Sequence, residues 1–418
     1  MEYLSKNLGL YNLHMIKNDN FKQTIVRVTF RGKENKDEIT IRNFLESMIV
    51  YSSKKYNTRR KMLLKEEELY SAIIYSDSNR IGNFYETSFG LISLDDKYTE
   101  KGNFEKALEF FIDMIKHPNV SDGKFDSKSF NIIMNKVVLY LTSKKEDKDS
   151  YSIERLYEEM GKDSPISYRD GYIEDLNSIT RESLFNYYKK FVEESDIDIY
   201  VVGAIDFEVI DPMIRKYFKP NTYRKRKDGF IIEHKKRRLK KIKVIEHDNI
   251  AQSKLNLGFK MYNMSIREKE YPLVLYNIIL GGGSDSKLFK EVREEKSLCY
   301  YIYSVCNDYD STMRISAGIS KDSFNECLKI INKDVKDMEK GLFTDEDLEK
   351  AKEIYISYLN NIYDSEENII NMYSTIGLLG TDDIETRKKK IKTVTKDDII
   401  SVAKKISLDT IYLLEGVK

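Results

Sequence analysis

The sequence repeats itself in two places: SITRESLFNYYKKFVEESDIDIYVVG at residues 178–203 and TVTKDDIISVAKKISLDTIYLLEG at residues 393–416. Each stretch begins with Thr and acidic residues, a combination that is typical of a helix N-terminus. Each then passes through a pair of lysines into an apolar run that ends at a glycine, which indicates a β-strand. Both stretches therefore predict a Thr-capped helix followed directly by a strand.

Three further pairs of segments match in the same order along the chain. Gln23–Phe30 and Gln252–Phe259 both alternate polar and apolar residues, as strands do. Two sets of apolar residues with helical spacing follow: Phe104, Leu108, Phe111, Ile112 and Ile115, and then Phe324, Leu328, Ile331 and Val335. Phe125–Phe130 and Phe343–Leu348 each open a long helix with Asp or Thr residues suited to an N-cap. Four matches in one order predict an internal duplication.

The duplication predicts an α+β fold of two homologous domains. In each domain we expect a mostly antiparallel β-sheet covered by α-helices, built as a strand–helix–helix–strand unit. The predicted boundaries are a first domain at residues 1–218, a basic linker at 219–243 and a second domain at 244–418. Two similar domains joined by a mobile linker suggest a clamshell with a cleft between them.

The composition limits the chemistry that the chain can perform. Of 418 residues, 41% are hydrophobic and 33% are charged, as in an ordinary globular protein, and only four are histidines. No two of the histidines, at positions 14, 117, 234 and 247, have the i, i+3 or i, i+4 spacing of a helical metal site. The chain has three cysteines, an odd and small number that fits reduced thiols in a reducing compartment better than a disulfide framework. With no apparent signal peptide or spanning segment, we expect a cytoplasmic protein with no membrane partner.

The formal net charge of +1 conceals a strongly basic segment in the middle of the chain. Between Lys219 and Lys243 there are twelve Lys or Arg residues and two acidic residues. Such a block is most often a solvated connection. It would also suit nucleic-acid phosphates or an acidic substrate. Because few aromatic residues interleave with the cations, we expect no specific nucleic-acid partner.

The most distinctive local pattern is a glycine-rich stretch between Leu280 and Tyr300. Gly281, Gly282 and Gly283 follow an apolar run and end its helix. A phosphate-binding loop would need Gly-Lys-Ser/Thr at the start of the next helix, and that sequence is missing. Ser286–Lys296 is predicted to be a helix, and Cys299–Val305 a strand.

This stretch resembles the M16 (pitrilysin/insulinase-like) metallopeptidase family. The second domain of that family has a glycine-rich loop followed by a helix of the form LF-x-x-x-RE-x-x-x-L-x-Y. Arg293 and Tyr300 match its Arg and Tyr, which in the family contact the peptide near the scissile carbonyl. The resemblance thus implies that Arg293, Tyr300 and the Gly281–Gly283 loop bind substrate. The alternative is that Arg293 is a helix-surface charge and Tyr300 a core aromatic residue.

The same resemblance locates the zinc site that the family would have. Its motif, His-x-x-Glu-His, corresponds here to a segment in which Asn43 and Ser47 replace both histidines while Glu46 remains. The third ligand, a Glu on a later helix, corresponds to Tyr140 or Leu141. Amide and hydroxyl groups are poor ligands for a tetrahedral zinc site. We therefore expect no catalytic zinc, no other cofactor, no peptide hydrolysis by this chain alone, and Glu46 as a helix-surface carboxylate.

Within the family, the sequence resembles the non-catalytic subunits that pair with a zinc-bearing homologue. This resemblance implies a substrate-binding or assisting subunit of a heterodimeric zinc peptidase that acts on peptides. The alternative is a stand-alone peptide-binding or scaffold protein, expected to be a homodimer, without a proteolytic role.

Overall fold

The computed structural model describes residues 1–162, 164–167, 170–219 and 228–417. Contacts between Cα atoms divide the chain into two compact units. The first unit consists of Met1–Ser143 and Arg169–Gly229, and the second consists of Lys144–Tyr168 and Phe230–Lys418.

Both units contain strands and helices. The strands are, in chain order, β1 (Glu2–Asn7), β2 (Tyr11–Lys17), β3 (Gln23–Lys33), β4 (Ile73–Ile81), β5 (Phe84–Leu94), β6 (Val120–Ser121), β7 (Lys124–Phe125), β8 (Asp196–Gly203), β9 (Ile242–Asp248), β10 (Ser253–Met261), β11 (Cys299–Asn307), β12 (Thr312–Ile319) and β13 (Ile406–Gly416). The α-helices are, in the same order, α1 (Ile39–Tyr51), α2 (Arg59–Glu68), α3 (Asn103–Lys116), α4 (Ser127–Ser143), α5 (Lys148–Met160), α6 (Arg181–Glu194), α7 (Phe207–Tyr217), α8 (Ile266–Glu270), α9 (Pro272–Gly281), α10 (Phe324–Glu339), α11 (Asp345–Asn361), α12 (Glu366–Leu379), α13 (Ile384–Ile391) and α14 (Lys396–Ala403).

The two large sheets have the same strand topology. In the first unit the order is β1-β2-β8-β3-β5-β4, and in the second it is β11-β12-β10-β13-β9. The central strand of each sheet, β3 or β10, runs antiparallel to both of its neighbours. The closing strand, β8 or β13, then pairs in parallel with the strand on its other side, β2 or β9. The shared order confirms the predicted internal duplication and the α+β fold class, and the first sheet has β1 as an additional edge strand.

The predicted apolar faces form the cores of the two units. Every apolar residue predicted to share a face of α3 is buried in the first core. On α10, Phe324, Ile331 and Val335 are buried and Leu328 packs against the same core while partly exposed. In the first unit, Val26, Val28 and Phe30 alternate along β3 and share this core with the helices, so helices cover that face of the first sheet.

The predicted N-caps are also present. Thr180, Thr344 and Thr395 each accept a hydrogen bond from the third helical amide and form a capping box at the start of α6, α11 and α14. At α4, the carboxylate of Asp126 accepts from the Ser129 amide at 2.8 Å. These caps fix where each repeated helix begins.

One helix belongs to a different unit from the domain that the sequence analysis assigns it to. Helix α5, within the predicted first domain, packs in the second unit, where Leu156 and Met160 share a buried cluster with Tyr412 and Leu414. A Cβ on Gly258 would lie 2.3 Å from the sulfur of Met160, so any larger residue there would displace the Met160 side chain.

Polar contacts reinforce the position of α5. The Arg155 guanidinium donates to Glu246 of β9 through Nε at 2.9 Å and Nη2 at 2.7 Å. On β10, the Asn256 amide donates to the hydroxyl of Ser152 at 2.9 Å. An amphipathic pattern shows that a helix has a buried face, but it does not specify which sheet that face covers.

Most of the predicted linker lies within the described residues. Residues 220–227 lie outside them, and residues 228–241 contain no helix or strand. The last two residues of the predicted linker, Ile242 and Lys243, already belong to β9. Among the described residues, no helix has both the length and the apolar composition to cross a bilayer.

We predict that Leu156→Ala destabilises the protein by about 2–5 kcal/mol, because Leu156 is fully buried and its truncation leaves a cavity. Urea unfolding measures the loss, and hydrogen exchange of the β13 amides should accelerate. Leu139→Ala is the control, since Leu139 on α4 is largely exposed. Equal stability of the two variants would contradict the packing of α5 against the second sheet.

Candidate functional site

The first unit contains a polar cleft beside helix α1. The apolar face of α1, with Phe44, Leu45 and Met48, is buried in the core. The other side of the helix therefore directs Asn43, Glu46 and Ser47 into a cleft of about 340 Å³. Further lining comes from β4 and α4, through Ser76, Asp77, Lys136 and Tyr140. The cleft brings together all three positions of the degenerate zinc motif.

Asp170 ties two of the motif positions together. The Asn43 side-chain amide donates to the Asp170 carbonyl oxygen at 2.7 Å, and the Tyr140 hydroxyl donates to its carboxylate, also at 2.7 Å. Tyr140 faces the cleft, whereas Leu141 packs against the apolar core. Of the two positions predicted for the lost third ligand, Tyr140 is thus the one on the cleft side.

Glu46 is more enclosed than the sequence predicts. The motif comparison predicts a helix-surface carboxylate, but Glu46 is half-buried between α1 and β4. Burial raises the pKa of Glu46 to about 6, with a smaller contribution from Asp77, while a hydrogen bond with Ser76 opposes the shift. Glu46 is enclosed because polar residues of β4 lie over this side of the helix. The sequence does not predict this enclosure, since those residues carry no clear strand pattern.

The groups in the cleft do not fit a zinc ion. Asn43 and Ser47 offer neutral amide and hydroxyl groups, and the Asn43 amide already donates to Asp170. Across the described residues, no group of three or more His, Cys, Asp or Glu side chains is placed to hold a metal. Tetrahedral protein zinc is held by imidazole, thiolate or carboxylate groups. We therefore derive no zinc-dependent step for this cleft.

In the second unit, the glycine-rich loop follows α9 where that helix meets β11. A Cβ on Gly281 would lie 2.6 Å from the Ser304 hydroxyl and 2.8 Å from its amide nitrogen, so only glycine fits there. The Ser304 hydroxyl donates to Asn277 of α9 at 2.8 Å, which fixes helix and strand together. A Cβ on Gly283 would meet nothing within 4 Å, so the exposed end of the loop is open to a ligand.

The segment after the loop is helical, but its winding differs from the prediction. Phe289–Glu295 is a π-helix, a form that is frequent at functional sites. Leu288 and Val292 are buried, whereas Phe289 is only partly buried. Arg293 is exposed, and its guanidinium lies 4.7 Å from the ring centroid of Phe289.

An ion cluster holds this π-helix against α10. Glu291 accepts from Lys287 and, at 2.7 Å, from Lys333, while Asp334 is fully buried beside them. Burial and the neighbouring Glu291 raise the pKa of Asp334. Burial opposes a lowered pKa at Glu291, but hydrogen bonds from the two lysines dominate and lower it. The cluster therefore fixes the helix that presents Arg293.

Tyr300 is placed by an irregularity in the sheet. The register between β11 and β12 shifts between Cys299 and Tyr301, so Tyr300 is the extra residue of a β-bulge. Its side chain is 67% exposed, on the outermost strand of the sheet. The turn before the strand is held by a hydrogen bond from the Leu298 amide to the Val292 carbonyl at 3.0 Å. The core-aromatic alternative for Tyr300 does not agree with this exposure.

Several cleft residues had no signal in the sequence. Ser76, Asp77, Lys136 and Asp170 come from three different segments, and none of them lies in a recognisable motif. Ser76 and Asp77 reach the cleft through the pairing of β4, Lys136 through the packing of α4, and Asp170 through its hydrogen bonds with Asn43 and Tyr140.

We predict that Glu46→Gln stabilises the protein at neutral pH. A folded-state pKa of about 6 against an unfolded value of 4.5 means that the contribution of Glu46 to stability is greatest below pH 4.5 and is lost as pH rises through about 6. The loss amounts to ~2 kcal/mol, and Gln avoids it. Urea unfolding at about pH 4 and about pH 8 checks this. Glu67→Gln, on the exposed side of α2, is the control, and an equal pH response in both variants would contradict the assignment.

We predict that restoring the ligands restores zinc binding. A variant with Asn43→His, Ser47→His and Tyr140→Glu places two imidazoles and a carboxylate around one cleft, and it should bind zinc stoichiometrically. A matched variant with Leu141→Glu in place of Tyr140→Glu should bind zinc far more weakly, because Leu141 packs against the core. Zinc content after dialysis and calorimetry measure both. Equal zinc binding by the two variants, or stoichiometric zinc in the unmodified protein, would contradict the placement.

Comparison with known proteins agrees with this arrangement. The family described as "Peptidase M16 inactive domain" matches residues 178–355. The chain is 28% identical to "Probable inactive metalloprotease YmfF" of Bacillus subtilis over all of this chain and 98% of the relative.

Two solved structures have the same fold over the whole chain. A conserved protein from Enterococcus faecalis superposes with a TM-score of 0.91 at 26% identity, over 100% of this chain and 99% of the other. A peptidase M16 inactive domain from Pseudomonas fluorescens gives 0.79 at 16% identity, over 100% and 98% of the chains. With the duplicated sheets and the altered zinc motif, these matches show that the chain is similar over its whole length to inactive members of the M16 peptidase family.

Proposed function

We propose that this chain is the substrate-binding subunit of a heterodimeric zinc peptidase, in which an M16 homologue with an intact His-x-x-Glu-His motif performs hydrolysis. The observation that carries the proposal is a contrast between the two sites. The zinc-motif positions of the first unit have lost their ligands, whereas Arg293 and Tyr300 of the second unit are exposed to solvent. The chain has retained groups that bind a peptide and lacks those that cleave one.

The chemistry of the second site suits a peptide. A guanidinium and a phenol both donate hydrogen bonds, and both can stabilise the oxygen of a peptide carbonyl as negative charge develops on it. Arg293 lies on a helix fixed by ion pairs, and Tyr300 on a bulge of an edge strand, so both are presented by ordered elements. The Gly283 backbone in the same unit is open, since a Cβ there would meet nothing within 4 Å, and it leaves room for a ligand.

We place the complex in the cytoplasm. The three cysteines are free, and Cys299 and Cys327 are buried. This pattern is typical of proteins from reducing compartments.

We predict that Arg293→Ala and Tyr300→Phe each lower kcat/KM of the complex roughly 10- to 100-fold, because each removes a donor to the developing oxyanion. The experiment co-expresses this chain with a zinc-bearing M16 homologue, verifies a 1:1 complex and measures cleavage of a peptide library. Lys296→Ala and Tyr358→Phe are matched controls, since both residues are exposed in the same unit.

Two outcomes would overturn the proposal. A complex whose kcat/KM is insensitive to both site variants would remove the assisting role of Arg293 and Tyr300. A chain that forms only homodimers, and leaves the peptidase activity of every homologue unchanged, would instead support a stand-alone peptide-binding or scaffold protein.

A further inference from the structure

The second unit carries a cationic segment that the peptidase-like sites do not use. Residues 235–241 read Lys-Lys-Arg-Arg-Leu-Lys-Lys, and all seven are exposed. We call these residues the basic segment. Six of its seven side chains are cations, and it is one of the most highly charged surfaces of the chain.

The basic segment is held against the second unit on its N-terminal side. The amide of Ile232 donates to the Tyr309 carbonyl at 2.7 Å. Two residues later, the His234 ring lies 2.9 Å from the Asp310 carbonyl through Nε2. Both contacts anchor the approach to the segment on the β11–β12 turn, so the segment does not begin as a free linker.

Two arginines of the basic segment, and the strand that follows it, hold the rest of the segment against the second unit. Arg237 donates to the carbonyl of Lys404 at 2.7 Å, and Arg238 donates to the buried carboxylate of Asp409 at 3.2 Å. Ile242 then begins β9, which pairs with β13. The segment therefore has a defined face, on which these two arginines point to the protein.

The four lysines on the segment are available to an external ligand. In the part of the chain that the structure describes, Lys235, Lys236, Lys240 and Lys241 form no ion pair with a carboxylate. Lys404 is exposed beside Arg237 and adds to the same positive field. Concentrated positive charge of this kind recruits an anionic surface.

Leu239 distinguishes between the possible anionic partners. Its side chain is completely exposed, at 102% of its reference area, with two cations on either side of it in the sequence. Nucleic-acid phosphates would use the lysines but not an aliphatic side chain, and the segment has no aromatic residue on which a base could stack. A bilayer uses both, because its head groups attract cations and its acyl boundary accepts an apolar side chain.

We propose that the basic segment binds the surface of bilayers that contain anionic lipids, with its lysines on the head groups and Leu239 inserted at the acyl boundary. The contact is peripheral, it requires no spanning helix, and it is independent of the proposed peptidase partnership. It changes the sequence-based expectation that the protein has no membrane partner.

The test is co-sedimentation of the full chain with phosphatidylcholine vesicles, with and without about one quarter phosphatidylglycerol. Binding should require the anionic lipid at about 0.1 M salt and should fall sharply at about 0.5 M salt. A variant with Lys235, Lys236, Lys240 and Lys241 changed to Gln should bind at least roughly tenfold more weakly. Leu239→Ser should weaken binding about two- to fivefold at unchanged charge.

Matched controls separate this site from general charge. Lys54, Lys55, Arg60 and Lys61 are four exposed cations of the first unit, and changing them to Gln should leave vesicle binding nearly unchanged. Leu342→Ser is the control for Leu239→Ser, since Leu342 is also exposed in the second unit. Circular dichroism of each variant verifies that it is folded.

Three results would overturn the proposal. The first is equal vesicle binding by the lysine variant and its control. The second is an unchanged affinity for anionic vesicles in Leu239→Ser. The third is retention of the chain on nucleic acid, through the same four lysines, without binding to anionic vesicles, which would assign the segment to phosphates of that polymer.

Discussion

The pairing of the closing strand with the central strand is the constraint on which both units depend. In the first sheet β8 lies directly beside β3, although almost the whole half-chain separates them, and β13 lies beside β10 in the same way. Most helices of each half-chain therefore lie, in the sequence, between two strands that are neighbours in the sheet. The first long helix after the central strand, α1 or α9, packs near the outer strand, β4 or β11. The two candidate sites occupy equivalent places as a result: Glu46 faces Ser76, and Asn277 contacts Ser304.

The sequence predicts those parts of the structure that are encoded locally. Two strands are predicted from local alternation, in Gln23–Phe30 and Gln252–Phe259, and both are confirmed. The helix caps Thr180 and Thr395, each determined within one turn, are confirmed as well. Features that depend on distant packing were not predictable. The apolar residues of α5 give no indication that they cover the second sheet rather than the first.

The candidate sites show the same division. The resemblance identified the motif positions Asn43, Glu46 and Ser47, and the structure places all three in one cleft. It could not indicate that Glu46 is enclosed by β4, because the enclosure comes from a strand about thirty residues further along the chain. Nor could it indicate that the helix before Tyr300 is a π-helix, since an apolar spacing predicts a helix but not its exact winding.

Substitutions at the motif positions need not disturb the fold, because these positions and the core lie on different faces of α1. Phe44, Leu45 and Met48 determine where the helix lies, and none of them faces the cleft. Asn43 and Tyr140 each donate a hydrogen bond to Asp170, so these two cleft side chains already have partners within the first unit. Arg293 and Tyr300 instead face solvent, on elements fixed by ion pairs and by a bulge. Binding requires groups that are ordered but not already satisfied by the protein, and for this reason we assign the proposed peptide-binding role to the second unit.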